Sequence, residues 1–167
     1  MARWARRRRS PCLRDACVAL VIARAEWHTL RSRGATMSID FAAIMPFVRH
    51  AGIAIASATR EEVKGTLAWR DEVCTTAGVI HGGALMTLAD SLGAICAFLN
   101  LPEGATTSTI ESKTNFFRPV TKGAVHGSST PIHVGRSTIV VQTDLRDDAG
   151  KRVALVTQTQ AVLAPSA

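Results

Sequence analysis

The sequence predicts an α+β fold in which one long helix packs against an antiparallel sheet. Residues 82–100 carry a long helical pattern, and after Gly104 the chain carries only strand patterns. The helix has an apolar stripe in which residues recur every three or four positions, at Leu85, Leu88, Leu92, Ile95 and Leu99. The length of 167 residues suits one domain with its own core.

Before the long helix, the sequence predicts a shorter helix and one strand. Ser38 can cap the helix, Asp40 would lie in its first turn, and Gly52 would end it. Apolar and polar residues then alternate over residues 63–70, as in a half-buried strand. A loop is expected to follow through Gly78.

Four strands are predicted after the long helix, at residues 106–117, 125–133, 137–145 and 153–163. Asp147-Asp148-Ala149-Gly150 reads as a hairpin turn between the last two. Taken in order, these patterns predict an antiparallel meander that follows the helix.

The net charge of +7 lies entirely at one end of the chain. Residues 1–36 hold nine Arg against Asp15 and Glu26, whereas residues 37–167 balance eleven basic with eleven acidic side chains. The neutral body lacks the basic footprint of a nucleic-acid-binding protein. We interpret residues 1–36 as a disordered basic extension, either a targeting segment or a mis-called start before Met37, and residues 37–167 as the domain.

Cysteine usage and hydropathy exclude several other classes. The four cysteines, Cys12, Cys17, Cys74 and Cys96, have no CxxC spacing, so neither a metal site nor a disulfide framework is expected. Reduced thiols suit a cytoplasmic protein. No apolar run approaches the ~20 residues of a membrane helix, so no membrane partner is expected.

His81-Gly82-Gly83 opens the long helix and is a candidate site. The first N–H groups of a helix lack intrahelical partners and lie at its positive end, so they can bind an anion or a developing oxyanion. The alternative is a glycine turn that merely opens the helix.

Asp90 lies about two turns into this helix among apolar neighbours, seven residues after Gly83 and so on the same face. An unpaired buried carboxylate is costly and therefore rare without a task. A structural Asp bonded across an interface fits this spacing equally well. A second stripe of the helix holds only small residues around this carboxylate, at Gly83, Thr87, Asp90, Ala94 and Ala97. Such a stripe is too small to fill a core alone and predicts a homo-oligomer.

Residues 78–98, GVIHGGALMTLADSLGAICAF, resemble the helix motif of the PaaI-like (phenylacetate-pathway) thioesterases of the hotdog superfamily, in which HGG is followed by six residues and then an Asp or Glu. Residues 115–119 resemble that family's strand ending in Pro, and residues 135–163 its last hairpin. The resemblance extends over about residues 38–164. It implies a hotdog fold, in which the sheet wraps around the helix, and a dimer or tetramer with active sites at the dimer interface. It also implies hydrolysis of an acyl-CoA or aryl-CoA without metal or cofactor.

The resemblance implies catalytic roles for four positions. Asp90, contributed by the other subunit, matches the catalytic carboxylate, either as nucleophile or as general base. Gly82 matches the backbone donor to the thioester carbonyl, and His81 the motif histidine beside it. Thr109 lies where relatives place a Ser or Thr that helps to position water.

Five further residues form the predicted substrate-binding set: Gly83, Thr75, Asn115, Arg118 and Arg136. Thr75 departs from the family pattern, because many relatives carry Asn or Gln there. Arg118 and Arg136 could bind CoA phosphates, although a solvated surface role is an equal alternative.

Other functions remain as alternatives. Some hotdog domains bind acyl-CoA as ligand sensors without hydrolysing it, and the intact Asp90 argues against that function here. A hotdog dehydratase would need a second His or Asp suitably placed, and the sequence offers none. Nothing resembles a Ser-His-Asp triad, a phosphate-binding loop or a dinucleotide fingerprint. The sequence does not define the acyl group.

Overall fold

The structure, a computed structural model, describes residues 40–164. The predicted extension at residues 1–36 and the predicted cap Ser38 lie outside the described residues. Within them the elements follow in the order α1 (Phe41–Ile44), α2 (Pro46–Ala51), β1 (Ile53–Ala58), β2 (Val63–Ala68), α3 (Gly82–Leu99), β3 (Thr106–Phe116), β4 (Ala124–Val134), β5 (Thr138–Asp147) and β6 (Arg152–Leu163). Two 3-10 turns, Asp71–Val73 and Thr76–Gly78, lie between β2 and α3.

The first predicted helix is two short helices. Asp40 is the cap of α1 rather than part of its first turn, and its side chain accepts a hydrogen bond from the Ala43 N–H at 3.1 Å. The break falls at Met45, because a residue before proline is disfavoured in helical conformation and Pro46 opens α2. Gly52 ends α2 in the left-handed conformation, at φ 70°, so the predicted stop is confirmed.

The six strands form one antiparallel sheet in the order β1-β2-β4-β5-β6-β3. A meander is correct for β4, β5 and β6, and the predicted turn between β5 and β6 is closed by the Gly150 N–H bonded to Asp147 O at 2.9 Å. For β3 the meander prediction is wrong. β2 occupies the side of β4 that β3 would have taken, and β3 pairs with β6 at the far edge. β1, which the sequence analysis did not predict, forms the other edge.

Helix α3 packs against the sheet and contacts all six strands. The predicted apolar stripe is confirmed as its core face, since all five residues are at most 5% exposed, namely Leu85, Leu88, Leu92, Ile95 and Leu99. By length and apolar composition α3 could also cross a membrane, but most of its residues are buried inside the protein, as in a core helix. Burial, which the sequence does not report, distinguishes the two cases.

The helix lies close to the sheet because two facing strand positions carry no side chain. Gly65 on β2 pairs with Gly127 on β4. A Cβ at Gly65 would lie 2.7 Å from a methyl carbon of Leu92. These glycines therefore set the depth at which α3 is seated on the sheet, and with it the position of the polar residues along the helix.

Candidate active site

The N-terminus of α3 is capped by its own histidine. His81 is the N-cap residue, and its ring Nδ1 accepts a hydrogen bond from the Gly83 N–H at 2.8 Å. The Ala84 N–H donates to His81 O at 2.9 Å. Within residues 40–164 no acceptor is found for the Gly82 N–H. The two predicted glycine donors are therefore not equivalent, because the Gly83 donor is used by the cap and the Gly82 donor remains available.

The cap also defines the protonation of the His81 ring. Since Nδ1 accepts a hydrogen bond, it carries no proton, and the neutral ring carries its proton on Nε2. His81 is exposed, and its backbone N–H donates to Val73 O at 2.9 Å, which ties the preceding loop to the helix start. The helix start thus presents two N–H donors, those of the Gly82 backbone and the His81 ring.

Phe116, the last residue of β3, packs against this helix start. A Cβ at Gly82 would lie 3.3 Å from Cζ of its ring, while 51% of Phe116 stays exposed. Asn115 precedes it, and successive strand side chains alternate between faces, so Asn115 faces the opposite side of the sheet. Within one protomer the structure therefore does not bring the predicted binding residue Asn115 to Gly82.

Asp90 is neither fully buried nor unpaired, so that part of the sequence interpretation is wrong. The side chain is exposed in the protomer, and its Oδ1 accepts a hydrogen bond from Nε2 of Gln158 on β6. The nearby sheet still removes part of its hydration. Burial raises the pKa of the Asp90 carboxyl above its ordinary value, and the hydrogen bond from Gln158 opposes part of that rise.

Thr109 is connected to Asp90 through two buried glutamines that the sequence analysis missed. Gln158 and Gln160 are each 1% exposed. Their side-chain nitrogens donate to Thr109 Oγ1 at 3.2 Å and 3.0 Å, and Thr107 Oγ1 lies 3.1 Å from the acceptor oxygen of Gln160. The sequence carries a signal for them, because these glutamines continue the alternation of inward-facing Val156 along the strand.

The small-residue stripe of α3 is only partly accessible. Gly83, Thr87 and Ala94 are half-buried and Asp90 is exposed, but Ala97 is fully buried in the core of the protomer. The prediction that the whole stripe is a contact face is therefore wrong at its C-terminal end. The accessible part surrounds Asp90.

Gly82 and Asp90 cannot act on the same carbonyl group within one protomer. They are eight residues apart on a continuous helix. At 1.5 Å per residue the two positions are about 12 Å apart along the helix axis. This distance agrees with the prediction from the resemblance, in which Asp90 comes from another subunit, and that assignment stays a prediction.

The remaining predicted binding residues are dispersed. Thr75 is exposed in the loop before α3, where its N–H donates to Val79 O at 2.8 Å. Arg118 follows β3, and its side chain donates to Arg152 O at 2.8 Å. Arg136 lies in the turn between β4 and β5, at the other end of the sheet. About nine residues of β6 separate the two arginines, or ~30 Å, so they do not form one phosphate site within a protomer.

Comparison with known proteins shows to which family the chain belongs. The family model of the thioesterase superfamily matches residues 77–154. A candidate esterase of Haemophilus influenzae is 34% identical over 104 residues, which cover 62% of this chain and 75% of that protein. The proofreading thioesterase EntH of Cronobacter sakazakii is 25% identical over 126 residues, covering 75% of this chain and 92% of EntH. A crystal structure of a Haemophilus influenzae thioesterase matches with a TM-score of 0.68 at 31% identity, covering 71% of this chain and 82% of that one.

The antiparallel sheet around one long helix, with the HGG motif at the helix start, defines a hotdog-fold thioester hydrolase. The chain belongs to the thioesterase superfamily. The predicted fold and the predicted reaction class, thioester hydrolysis, are confirmed.

Proposed function

We propose that this protein is a PaaI-like thioesterase that hydrolyses an acyl-CoA or aryl-CoA to the free acid and CoA, with Asp90 as its catalytic carboxylate. The observation that carries the proposal is the exposure and hydrogen bonding of Asp90. It is an accessible carboxylate on the motif helix with one oxygen bonded to Gln158 and the other free to react. Family membership supports the reaction class.

The site requires a second copy of the chain. The ~12 Å between Gly82 and Asp90 means that a carbonyl bonded to one protomer's helix start needs the carboxylate of another. Strand β3 supports this assembly. It is 11 residues long and exposes or half-exposes every side chain, and among the strands of residues 40–164 it pairs only with β6, so no strand of that range covers its other edge. We propose a homodimer, alone or within a tetramer.

The helix start supplies the oxyanion donors. The thioester oxygen accepts a hydrogen bond from the Gly82 N–H, with the His81 Nε2–H beside it. Donors held in place before the reaction stabilise the negative charge that develops on this oxygen. Phe116 covers one side of the helix start and limits water access to it.

Asp90 of the second subunit then acts by one of two routes. As nucleophile, a carboxylate oxygen bonds to the acyl carbon, the C–S bond breaks, and CoA leaves as thiolate; water then cleaves the anhydride. As general base, Asp90 takes a proton from water, hydroxide adds to the carbonyl, and the proton passes to the departing sulfur. Thr109 accepts two hydrogen bonds from glutamine amides, so its own hydroxyl proton is free to orient that water.

The remaining predicted binding residues, two charged and two uncharged, complete the proposal. Arg118 and Arg136 bind CoA phosphates from different sites or protomers, as their separation requires. Thr75 and Asn115 contact substrate only across a subunit boundary or after loop movement.

We place the enzyme in the cytoplasm, because the cysteines of residues 40–164, Cys74 and Cys96, are free thiols.

The test is Asp90→Asn, assayed by free-thiol release on a panel of aliphatic and aryl acyl-CoAs. Loss of a catalytic carboxylate lowers kcat by on the order of 10²–10⁴. The melting temperature should hold or rise, because Asn is nearly isosteric and carries no charge to desolvate. Acyl-CoA should still bind.

Asp148→Asn is the matched control, because Asp148 is exposed at the far turn and bonds only to His126 and the Ala124 N–H. It should keep full activity. Near-normal turnover by Asp90→Asn on every substrate of the parent would show that Asp90 is not catalytic. A parent that binds acyl-CoA without turnover would favour a ligand sensor.

A further inference from the structure

Gln158 donates a hydrogen bond to the Asp90 carboxylate but takes no part in the bond-making and bond-breaking steps described above. Its side chain is 1% exposed on the inner face of β6. Both protons of its amide nitrogen have acceptors, Asp90 Oδ1 and Thr109 Oγ1. Its amide oxygen is buried without a hydrogen-bond partner among the described residues. A buried carbonyl without a partner destabilises the folded state, so the contacts of the nitrogen must favour this orientation.

The Gln158 amide cannot rotate by half a turn without losing its hydrogen bond to Asp90. A flip would place its oxygen against an oxygen of the Asp90 carboxylate, where neither atom can donate a hydrogen bond. Thr109 already accepts a hydrogen bond from Gln160 at 3.0 Å. Gln160 is oriented in turn by Thr107 Oγ1, 3.1 Å from its amide oxygen. Two strands therefore hold the donor of Gln158 towards Asp90.

We propose that Gln158 is a positioning residue that binds Asp90 through Oδ1 and leaves Oδ2 as the oxygen that attacks the acyl carbon or takes the proton of water. This inference rests on the proposed role of Asp90. A carboxylate held at one oxygen has one reactive oxygen in a fixed direction, which matters because small displacements from the reactive geometry slow catalysis strongly.

The helix is built to accept this contact. Gly93 lies one turn after Asp90, and a Cβ there would come within 3.2 Å of the amide carbon of Gln158. Glycine inside a helix is less favourable than alanine, so its presence needs a reason. The space occupied by the Gln158 amide is that reason.

Removing Gln158 should also change the ionisation of Asp90. The hydrogen bond lowers the pKa of this carboxyl against the effect of burial, so its loss should raise the pKa. No other charge on the described elements opposes this, since Asp90 is the only charged residue of α3. Most charged strand side chains occupy positions that alternate with inward ones and face the other side of the sheet: Lys64, Glu111, Lys113, His126, His133, Asp144, Arg146 and Arg152. Asp147, at the end of β5, accepts hydrogen bonds from the Ala149 and Lys151 N–H groups of the following turn. Arg49 and His50 are exposed on α2.

The test compares Gln158→Met, which keeps the length of the side chain and removes the donor, with the parent. The Asp90 pKa is read directly by ¹³C NMR of the carboxyl, and the acid limb of kcat/KM by thiol release. We expect both to move to higher pH, because the hydrogen bond that lowers the pKa of Asp90 is lost while the effect of burial stays. The plateau kcat should fall about tenfold while KM stays the same.

Two variants make the result decisive. Gln142→Met is the control, because Gln142 alternates with inward-facing Val141 and Thr143 on β5, and it should change neither value. Gln158→Glu is nearly isosteric and guards against misfolding of the Met variant. Its carboxyl and that of Asp90 would share a proton, so the acid limb should move further than in Gln158→Met.

An unchanged Asp90 pKa and acid limb in the folded Gln158 variants would overturn the inference, even if kcat fell, because a purely structural role predicts that pattern. The proposed function fails on a different result, full activity of Asp90→Asn. Because the NMR titration needs no turnover, the two failures can be told apart.

Discussion

His81 performs two tasks with its two ring nitrogens. Nδ1 caps α3 by accepting the Gly83 N–H, and this contact leaves the proton on Nε2, beside the free Gly82 N–H. Ser, Thr, Asn or Asp could cap the helix equally well, but none of these side chains would also present a ring N–H. The identity of the residue is therefore explained by the second task.

Two substitutions separate these tasks. His81→Asn retains an acceptor for the Gly83 N–H, so its stability should match the parent, while loss of the ring donor lowers kcat/KM by on the order of 10². His81→Ala should lose the same activity and also about 1 kcal/mol of unfolding free energy. Urea unfolding and thiol release measure the two effects. Equal stability of both variants would show that the cap contributes nothing, and full activity of His81→Asn would remove the ring from the site.

The helix and strand that carry Asp90 and Gln158 fit each other at Gly93. Three features must agree there: the depth at which α3 is seated, the inward face of β6, and a helix position without a Cβ. The depth of the helix on the sheet is set by the pair of Gly65 on β2 and Gly127 on β4, which β5 separates from β6. The contact between the carboxylate and its positioning residue is thus a property of packed elements rather than of neighbouring residues.

Gly93→Ala tests this fit. In an open helix the change would stabilise the protein by up to about 1 kcal/mol. Here the added methyl meets the Gln158 amide, so we expect a net loss of about 1–3 kcal/mol, measured by urea unfolding, together with lower kcat.

A double-mutant cycle with Gln158→Ala provides the control. Once the amide is removed there is room for the methyl, and Gly93→Ala should become neutral or stabilising in that background. Stabilisation by Gly93→Ala in the parent itself would mean that the close approach does not exist.

At the scale of the whole molecule, the proposed site is divided along one helix. The helix start carries the N–H donors and the middle carries the carboxylate, about 12 Å apart. In a symmetric dimer each chain supplies both halves, one to each of two equivalent sites. The exposed edge of β3 supplies a surface through which two chains can join.

Subunit mixing tests this division. Gly82→Pro deletes the oxyanion donor, and the helix should tolerate it, because proline is favoured at the first helical position and His81 already has the extended conformation, φ −63° and ψ 136°, that a following proline requires. Gly82→Pro and Asp90→Asn should each be inactive. In a mixed dimer one site regains both intact halves, so an equal mixture of chains after co-expression should recover about a quarter of the parent activity.

Two measurements control the experiment. Differently tagged chains show that mixed dimers have formed, and light scattering gives their mass. Mixed dimers without recovered activity would show that Gly82 and Asp90 do not serve one site across the interface. A monomer at micromolar concentration would contradict the shared site directly.

The sequence by itself determined most of the helices and strands of this protein, except β1 and the break at Met45, and the residues that open its motif. The apolar stripe of α3, the strand alternation and the turn ending at Gly150 were predictable because these signals repeat over neighbouring positions. The spacing between HGG and Asp90, on which the resemblance to the PaaI-like thioesterases rests, was recognisable for the same reason, since both lie on one helix. Such patterns depend on distances along the chain, which the sequence contains.

Only the tertiary structure decided which elements meet. Strand β3 lies beside β6 because β2 had already taken the side of β4 that a meander would use. Asp90 is exposed and paired rather than buried and unpaired. The sequence did not show this pairing because the partner, Gln158, is 68 residues away along the chain. Contacts of this kind depend on how helix and sheet pack in space, and no local pattern records which inward-facing strand residue will lie opposite a given turn of the helix.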